Sequence, residues 1–556
     1  MPEGYDISGF SLFKNIMKRF LLIIMAALMT ATTASATDYT DKLRFVRHVR
    51  FDKPLRVMMD GNTVSASTNT ASLELKDAAK GTYKLTVKNV KYSKLGQTIG
   101  IGTIVVDNFK GETMPDGAVR LSAKSVKIEK GDDPDVQYWM GAMSFLPIVG
   151  TTDGRLTDDN FYCVTTFNLL VTSIKLVFGD GGFQISNSDF EDFHTINSVV
   201  CETVEPNRWH TLASAGGFYS GAVLLSSPRS YQSDSIRPGS TGEHSAVVCS
   251  SSLIGFGANG ILTTGRVKAG SAFATSSSNH QYLDLTDTDR DANGDPFYTK
   301  LNACPDSIAF WVRFKQGPLS NSNKKYKYAS MHAIIPDGTL YQDPEPSKAN
   351  YTCVVAKATD DEIESTDEWR RVCLPFDYDS YSANQAKARA ILVTFSTNAK
   401  AGVASKDSSQ PDSLWVDDLS LIYNARVEGI TVKGNPIENF SADRQDYSLS
   451  LGGELSADDF AVTTNGHGTL LSTTLTKTLR GCKAVLEVMS ADYQTSHSFS
   501  LNISGATPTG IGSVSNNATA NAVRLYSADG QRIGHTQKGL NIVRMADGTV
   551  RKVLGK

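Results

Sequence analysis

Over long stretches of this chain, apolar and polar residues alternate at every second position. Tyr83, Leu85 and Val87 alternate with Lys84, Thr86 and Lys88, and Val126 and Ile128 with Ser125, Lys127 and Glu129. Ile174, Leu176 and Phe178 repeat the pattern. A strand turns successive side chains to opposite faces, so this period predicts antiparallel strands buried on one face and solvated on the other. Turn-forming residues punctuate it at Asp60-Gly61-Asn62, Gly111, Asp116-Gly117, Gly131-Asp132 and Asp153-Gly154. Short strands closing on themselves predict a small barrel or sandwich over residues 37–182.

Gly181-Gly182 marks the start of a second stretch, residues 183–425, which opens with Ser188-Asp189-Phe190-Glu191 and closes with Trp415-Val416-Asp417-Asp418-Leu419. Ile308, Phe310, Val312 and Phe314 face one way there, while Ala309, Trp311, Arg313 and Lys315 face the other; Ile391, Val393 and Phe395 form another stripe. No segment sustains the period of a long amphipathic helix, which predicts a jelly-roll sandwich. In residues 426–505, Tyr447, Leu449 and Leu451 alternate with Ser448 and Ser450, predicting a small immunoglobulin-like sandwich. Residues 506–521 have linker composition, and 522–556 form a short β tail. The fold class expected is all-β and multidomain.

Composition narrows the setting. Lys18 and Arg19 precede the apolar run Phe20–Met29, and Ala34-Ser35-Ala36 follows. This order describes a secretory signal peptide over residues 1–36, with Met17 as the expected true start. The run is shorter than the roughly 20 residues a membrane helix needs. Export to the periplasm, outer surface or medium is expected. The formal net charge of −3, with 20% charged residues, gives no global field suited to nucleic acid. Seven cysteines lack any C-x-x-C spacing; export permits disulfides, and Cys353 and Cys373 are near enough in sequence for neighbouring strands, but no pairing follows from the spacing.

Two family resemblances add to this reading. Tyr39-Thr40-Asp41-Lys42-Leu43, Gly81-Thr82-Tyr83-Lys84-Leu85, Ile104-Val105-Val106-Asp107-Asn108, Gly131-Asp132-Asp133-Pro134 and Leu156-Thr157-Asp158-Asp159 resemble the calycin-like, lipocalin-related domains of exported Bacteroidetes proteins. Such a barrel would hold a small apolar ligand or fill itself with side chains. Gly242-Glu243-His244, Pro305-Asp306-Ser307-Ile308-Ala309-Phe310-Trp311-Val312-Arg313-Phe314, Trp369-Arg370-Arg371-Val372 and Trp415-Val416-Asp417-Asp418 resemble the Bacteroidetes family called "putative carbohydrate metabolism domain". The plan is similar to jelly-roll carbohydrate-binding modules, and implies carbohydrate as the partner. The stretch Val523 to Leu554 resembles C-terminal sorting tails, which implies outer-surface sorting machinery as a further partner.

Candidate chemistry is sparse. No G-x-S-x-G elbow, H-E-x-x-H, P-loop or dinucleotide fingerprint is present, and His194, His210, His244, His280 and His332 lack ligand spacing. Sugar rings pack their C–H faces on aromatics, so Trp311, with Arg313 beside it, is the expected ligand platform; Trp209, Trp369, Trp415, Tyr231 and Tyr341 follow. Packing beneath a loop is the competing role for Trp311. Resemblance to jelly-roll modules implies a structural calcium held by Glu191 and Asp417, where first and last strands meet; hard oxygen donors suit that ion. Asp417 shares the alternation of Leu419 and Leu421, so it is expected to point inward. Asp289-Arg290-Asp291-Ala292-Asn293-Gly294-Asp295 matches half an EF-hand loop, but Lys300 stands where the bidentate Glu belongs. The expected function is glycan binding by a secreted or surface-displayed protein. A glycan-active hydrolase using two carboxylates and a structural, adhesin-like role are the alternatives.

Overall fold

A computed structural model describes residues 48–508, apart from short internal stretches, together with the strands of the 524–555 segment. The expected signal peptide and most of the linker lie outside the described residues. The chain divides into two compact units, the first ending at Gly179 and the second beginning at Asp180.

In the first unit, antiparallel strands run in the hydrogen-bonded order Thr82–Lys94, Asn62–Asp77, His48–Met59, Thr172–Phe178, Phe161–Leu169, Ile148–Leu156, Val119–Glu129 and Gln97–Thr113. The last of these pairs back with Thr82–Lys94, giving a closed eight-stranded barrel. Closure leaves no open edge in the ring. Asp60 (φ 49°) and Gly61 (φ 84°) form the two-residue turn between Met59 and Asn62, a pair of left-handed residues matched to the twist of a hairpin. Tyr83, Leu85, Val87, Val126, Ile128, Ile174, Leu176 and Phe178 all face the barrel core, as their alternation predicts. Phe51, Phe161 and Phe178 pack in succession there, with ring centroids 5.5 and 5.9 Å apart.

The second unit begins with a two-sheet sandwich. One sheet has the order Ser230–Ser233, Ser245–Cys249, Ser413–Ile422, Ser307–Lys315, Arg370–Pro375. The other runs Ile261–Thr263, Ala390–Ser396, Ala329–Pro336, Val354–Ile363. Their inward stripes are those read from the sequence: Ile308, Phe310, Val312 and Phe314 against Ile391, Val393 and Phe395, all at most 1% exposed. Phe310 and Phe395 meet edge to face at 5.1 Å. Phe190 meets Trp209 at a tilt, and Trp209 reaches Phe395. Each such ring contributes roughly 1.5–3 kcal/mol by leaving water. A third, three-stranded layer (Arg266–Ala269, Asn279–Leu283, Tyr341–Asp343) covers part of the outer face of the second sheet.

Farther along the same unit, a three-stranded and a four-stranded sheet close a smaller sandwich around Val427, Ile430, Tyr447, Leu486, Phe499 and Leu501. Its Asp446–Leu455 strand pairs in parallel with Ser496–Pro508. The C-terminal strands Arg524–Ser527, Arg532–Ile533, Gly539–Arg544 and Val550–Gly555 form an antiparallel sheet. Among the described residues Cys163, Cys249, Cys304, Cys353, Cys373 and Cys482 are all free thiols.

Candidate functional site

The sequence-predicted residues gather on the outer face of the first sheet. Residues paired across neighbouring strands share a face. Trp311 lies opposite Asp417 on one side and Arg371 on the other, and Arg313 lies opposite Trp415. The Arg313 guanidinium sits 4.1 Å from the Trp415 ring centroid and 5.5 Å from that of Trp369; Arg237, from the loop after Ser230–Ser233, lies 5.5 Å over Trp311. These are cation–π distances. The indole faces are therefore met by guanidinium groups of the protein itself. Trp209, by contrast, is a core residue at 0% exposure, and Tyr341 is equally buried in a strand rather than a loop.

Asp417 departs from its expected direction. Asp418 has φ 42°, a left-handed residue that inserts one position into the ladder between Trp311 and Ala309. Alternation breaks there: Leu419 and Leu421 stay inward, whereas Asp417 falls on the Trp311 and Trp415 face. The loop carrying Arg237 buries it nonetheless, to 0% exposure. Its Oδ2 accepts the Arg237 backbone N–H at 2.9 Å, and its Oδ1 is buried with no partner. Burial, opposed by that hydrogen bond and reinforced by the neighbouring Asp418 charge, pushes its pKa up to about 7. The Leu419 N–H, released from the ladder by the bulge, donates to Ser188 O. Gln184 pairs both polar groups of Leu421 through its side-chain amide, in place of a strand.

Glu191 uses its carboxylate to accept the backbone N–H groups of Glu243 and His244 at 3.0–3.1 Å. Neither a hydrogen bond nor an ion pair joins it to Asp417. Asp189 links the neighbourhood: burial first, then the charges of Glu191 and Asp418, raise its pKa. The donor set is all oxygen, which suits a hard cation, and Asp417 Oδ1 is an orphaned acceptor. Arg237 already pairs with Asp418 at 2.5 Å, and no finished shell of three carboxylate or His groups stands here among the described residues.

A cavity of about 430 Å³ opens on the outer face of the second sheet. Ser330 and His332 lie opposite Ser396 and Thr394, all turned away from the core that Met331, Ala333 and Phe395 fill. Farther along this face, Ile334 and Leu392 pack beneath Leu283 and Tyr341, so the third layer closes one end. Tyr219, Leu212, Val267, His280 and Gln281 form other walls. His332 is clamped between Asp343 (Nδ1 to Oδ2, 2.7 Å) and Asp361 (Nε2 to Oδ1, 2.9 Å). Burial opposes its charge, but the two carboxylates outweigh burial and lift the pKa to about 10. Burial, the main effect, lowers the pKa of His280. The lining carboxylate of Glu345 accepts from Tyr341 (3.0 Å) and Lys357 (2.5 Å). Gln281 and Ser330 carry no side-chain hydrogen bond among the described residues. Sequence reading missed this site, although Thr394 and Ser396 were visible as the polar complement of the Val393 and Phe395 stripe.

The 289–295 turn, where the EF-hand match already stopped at Lys300, ties its carboxylates to the protein: Asp289 pairs with Arg266, Asp295 with Arg208, and Asp291 Oδ1 accepts the Asn293 and Asp295 N–H groups. One further expectation is corrected. His194 and His210 are not scattered, since both approach the other oxygen of Asp291.

No known protein family and no curated protein matches the chain. Neither family resemblance read from the sequence is met by such a match. Thirteen chains of solved structures align with it, among them three from Bacteroides species. A Bacteroides vulgatus protein named as a "putative glycoside hydrolase" shares 17% identity at a TM-score of 0.29, covering 42% of this chain and 96% of that one. A Bacteroides thetaiotaomicron protein of the same description shares 16% identity at 0.30, covering 60% and 93%. A Bacteroides fragilis protein named as a "putative outer membrane protein" shares 9% at 0.17, covering 64% and 98%. These scores are too low to define a common fold. Among the described residues no helix is long and apolar enough to cross a membrane, which says nothing of a β-barrel.

Proposed function

We propose that this chain is an exported glycan-binding protein whose sugar site is the cavity over the Ala329–Pro336 and Ala390–Ser396 strands. The observation that carries this reading is a cavity of ligand size, about 430 Å³, in whose lining Gln281 and Ser330 stand without partners and Tyr219 supplies an aromatic ring. Neutral hydroxyl and amide groups suit sugar hydroxyls, and an aromatic wall suits the C–H face of a ring. Binding is favoured over hydrolysis because the lining carboxylates are engaged: His332 holds Asp343, and Lys357 with Tyr341 holds Glu345. Acid–base cleavage needs one carboxyl free to give a proton and one free to take it. Trp311 and Arg313 act as a self-packed support for the opposite sheet. A calcium ion held by Asp417, with Glu191 and Asp189 nearby, would supply the cation that Asp417 Oδ1 lacks and fix the closing strand; the orphaned oxygen supports it. A glycan array probed with the full chain, followed by a reducing-end assay on each bound glycan, tests the proposal. Retention of one glycan class without release of reducing ends is expected. Release would establish the hydrolase, and no retention by folded protein would leave the structural, adhesin-like role.

A further inference from the structure

Four side chains from three separate segments point at one another. His194 and Glu205 lie opposite each other in the hairpin Phe193–Asn197/Glu202–Pro206. His210 follows that hairpin and is tied to the second sheet by paired backbone hydrogen bonds with Thr263, 2.7 and 2.8 Å long. Asp291 comes from the acidic turn. His210 Nε2 is 3.3 Å from Asp291 Oδ2, His194 Nε2 is 3.8 Å from the same oxygen, and His194 Nε2 is 4.0 Å from Glu205 Oε2. The side chains of Glu205, His210 and Asp291 are 0% exposed, and that of His194 is 8% exposed.

The four facing atoms are all buried and all without a hydrogen-bond partner. Three of the four side chains are anchored by hydrogen bonds at the opposite end. Glu205 Oε1 accepts from the Thr211 N–H and hydroxyl and from Ser214. Asp291 Oδ1 accepts two backbone N–H groups. His194 Nδ1 meets Asn207 Oδ1 at 3.1 Å, which turns Nε2 toward the cluster. The His210 ring rests on Phe297, centroids 4.5 Å apart. His194, Glu205 and Asp291 are thus each oriented by one end while the other end turns into the cluster, whereas the His210 ring is held by Phe297 alone and its Nδ1 is unpartnered too. Buried polar atoms are rarely left so, and four meeting at one point call for a shared partner. An outer hydrogen bond that fixes a ring and turns its second nitrogen inward is the habit of metal-bound histidine.

We infer that His194, Glu205, His210 and Asp291 form a buried structural site for a divalent transition ion of zinc type. Two imidazoles and two carboxylates are the donors zinc accepts, whereas calcium and magnesium prefer oxygen alone. Four protein donors with no solvent-facing position describe a closed structural site rather than an open catalytic one. Tetrahedral zinc with bonds of about 2.0–2.1 Å sets neighbouring donors roughly 3.3 Å apart. One pair already stands at that spacing, and the others are wider, so the shell is not yet closed. Closing it requires His194 and Glu205 to move inward when the ion is taken up. The ion would tie the hairpin and the 289–295 turn to the second sheet, a staple distinct from the proposed sugar-binding residues.

The test uses the full chain, stripped of metal and titrated with zinc. One zinc per chain is expected, retained against excess calcium, with an X-ray absorption spectrum showing two imidazoles and oxygen neighbours. His210→Ala is expected to abolish stoichiometric binding. Asn207→Ala, which removes only the outer acceptor, is expected to weaken it roughly 10–100-fold. A folded wild-type chain that takes up no zinc overturns the inference and leaves a histidine–carboxylate network without an ion. A bound zinc lacking imidazole neighbours overturns it too, even if His210→Ala fails to fold. A folded His210→Ala chain that keeps its zinc does the same.

Discussion

Asp417 lies directly across the sheet from Trp311, on the face away from the core, because Asp418 adds one left-handed residue between it and the inward Leu419. A carboxylate that alternation would place in the core is instead sealed beneath the Arg237 loop with one oxygen unpaired.

That burial has a signed pH signature. The folded state holds the Asp417 proton up to about pH 7, while an unfolded Asp releases it near 4. With calcium chelated, this group's contribution therefore declines as pH rises from about 4 to 7 and stays low above. In chelator, Asp417→Asn should be more stable than wild type at pH 8, by roughly 1–3 kcal/mol, and no more stable at pH 4. With calcium the order reverses: wild type gains melting temperature and the variant does not. Melting curves that ignore calcium in both proteins would remove the ion from Asp417.

His332 carries the opposite sign. Its pKa rises to about 10 in the fold, so its ion pairs with Asp343 and Asp361 contribute fully below about pH 6.5 and fade as pH climbs through 10. His332→Gln should cost roughly 1–3 kcal/mol at pH 6 and much less at pH 10.5. Chemical denaturation of both proteins at the two pH values measures this. A penalty independent of pH would mean that shape, not charge, holds the imidazole.

Binding and support should separate by mutation. Gln281→Ala and Ser330→Ala are each expected to weaken glycan affinity roughly 3–10-fold, the worth of one hydrogen bond, with little change in melting. Trp311→Ala should do the reverse, since it removes the ring beneath Arg237 while leaving the cavity intact. Calorimetric titration with the glycan chosen by the array decides. Affinity that follows Trp311 instead would move the sugar to the other sheet.

Thiol chemistry should follow exposure. Cys373 is exposed, whereas Cys163, Cys249, Cys353 and Cys482 are buried, and burial raises the pKa of each buried thiol. A thiol-specific reagent followed by peptide mapping should label Cys373 within minutes and those four only on unfolding. Fast labelling of Cys163 would show that the barrel opens.

Period-two alternation made the inward stripes legible, from Tyr83-Leu85-Val87 in the barrel to Ile308-Phe310-Val312 in the sandwich. It works because a strand's two faces are decided locally. It failed at Asp417, since a single residue with positive φ reverses every side chain beyond it, and nothing in Asp417-Asp418 announces which conformation the second Asp takes. Trp311 and Arg313 were readable as outward neighbours, but Trp369, Trp415 and Arg237 reach them from strands and loops far away in sequence. Pairing of that range depends on register, which the local pattern leaves open. The His194 and Glu205 contact had the best chance of being found, since both flank one hairpin; His210 and Asp291 join it only in three dimensions. The cavity depends on a third layer of short strands that stops partway along a sheet.

The barrel's first strand is paired with its last, Leu55 opposite Phe178 and Gly179 donating to Pro54 O at 2.8 Å. For a chain that emerges from its N-terminus, the ring cannot shut until the final strand has arrived. Until then His48–Met59 offers a row of unsatisfied amides and carbonyls to any neighbouring strand. Truncation before Thr172 would therefore yield no smaller barrel, only an open sheet ready to pair with its own kind. Once Phe178 is in place, the unit can lock while the remainder of the chain is still being delivered.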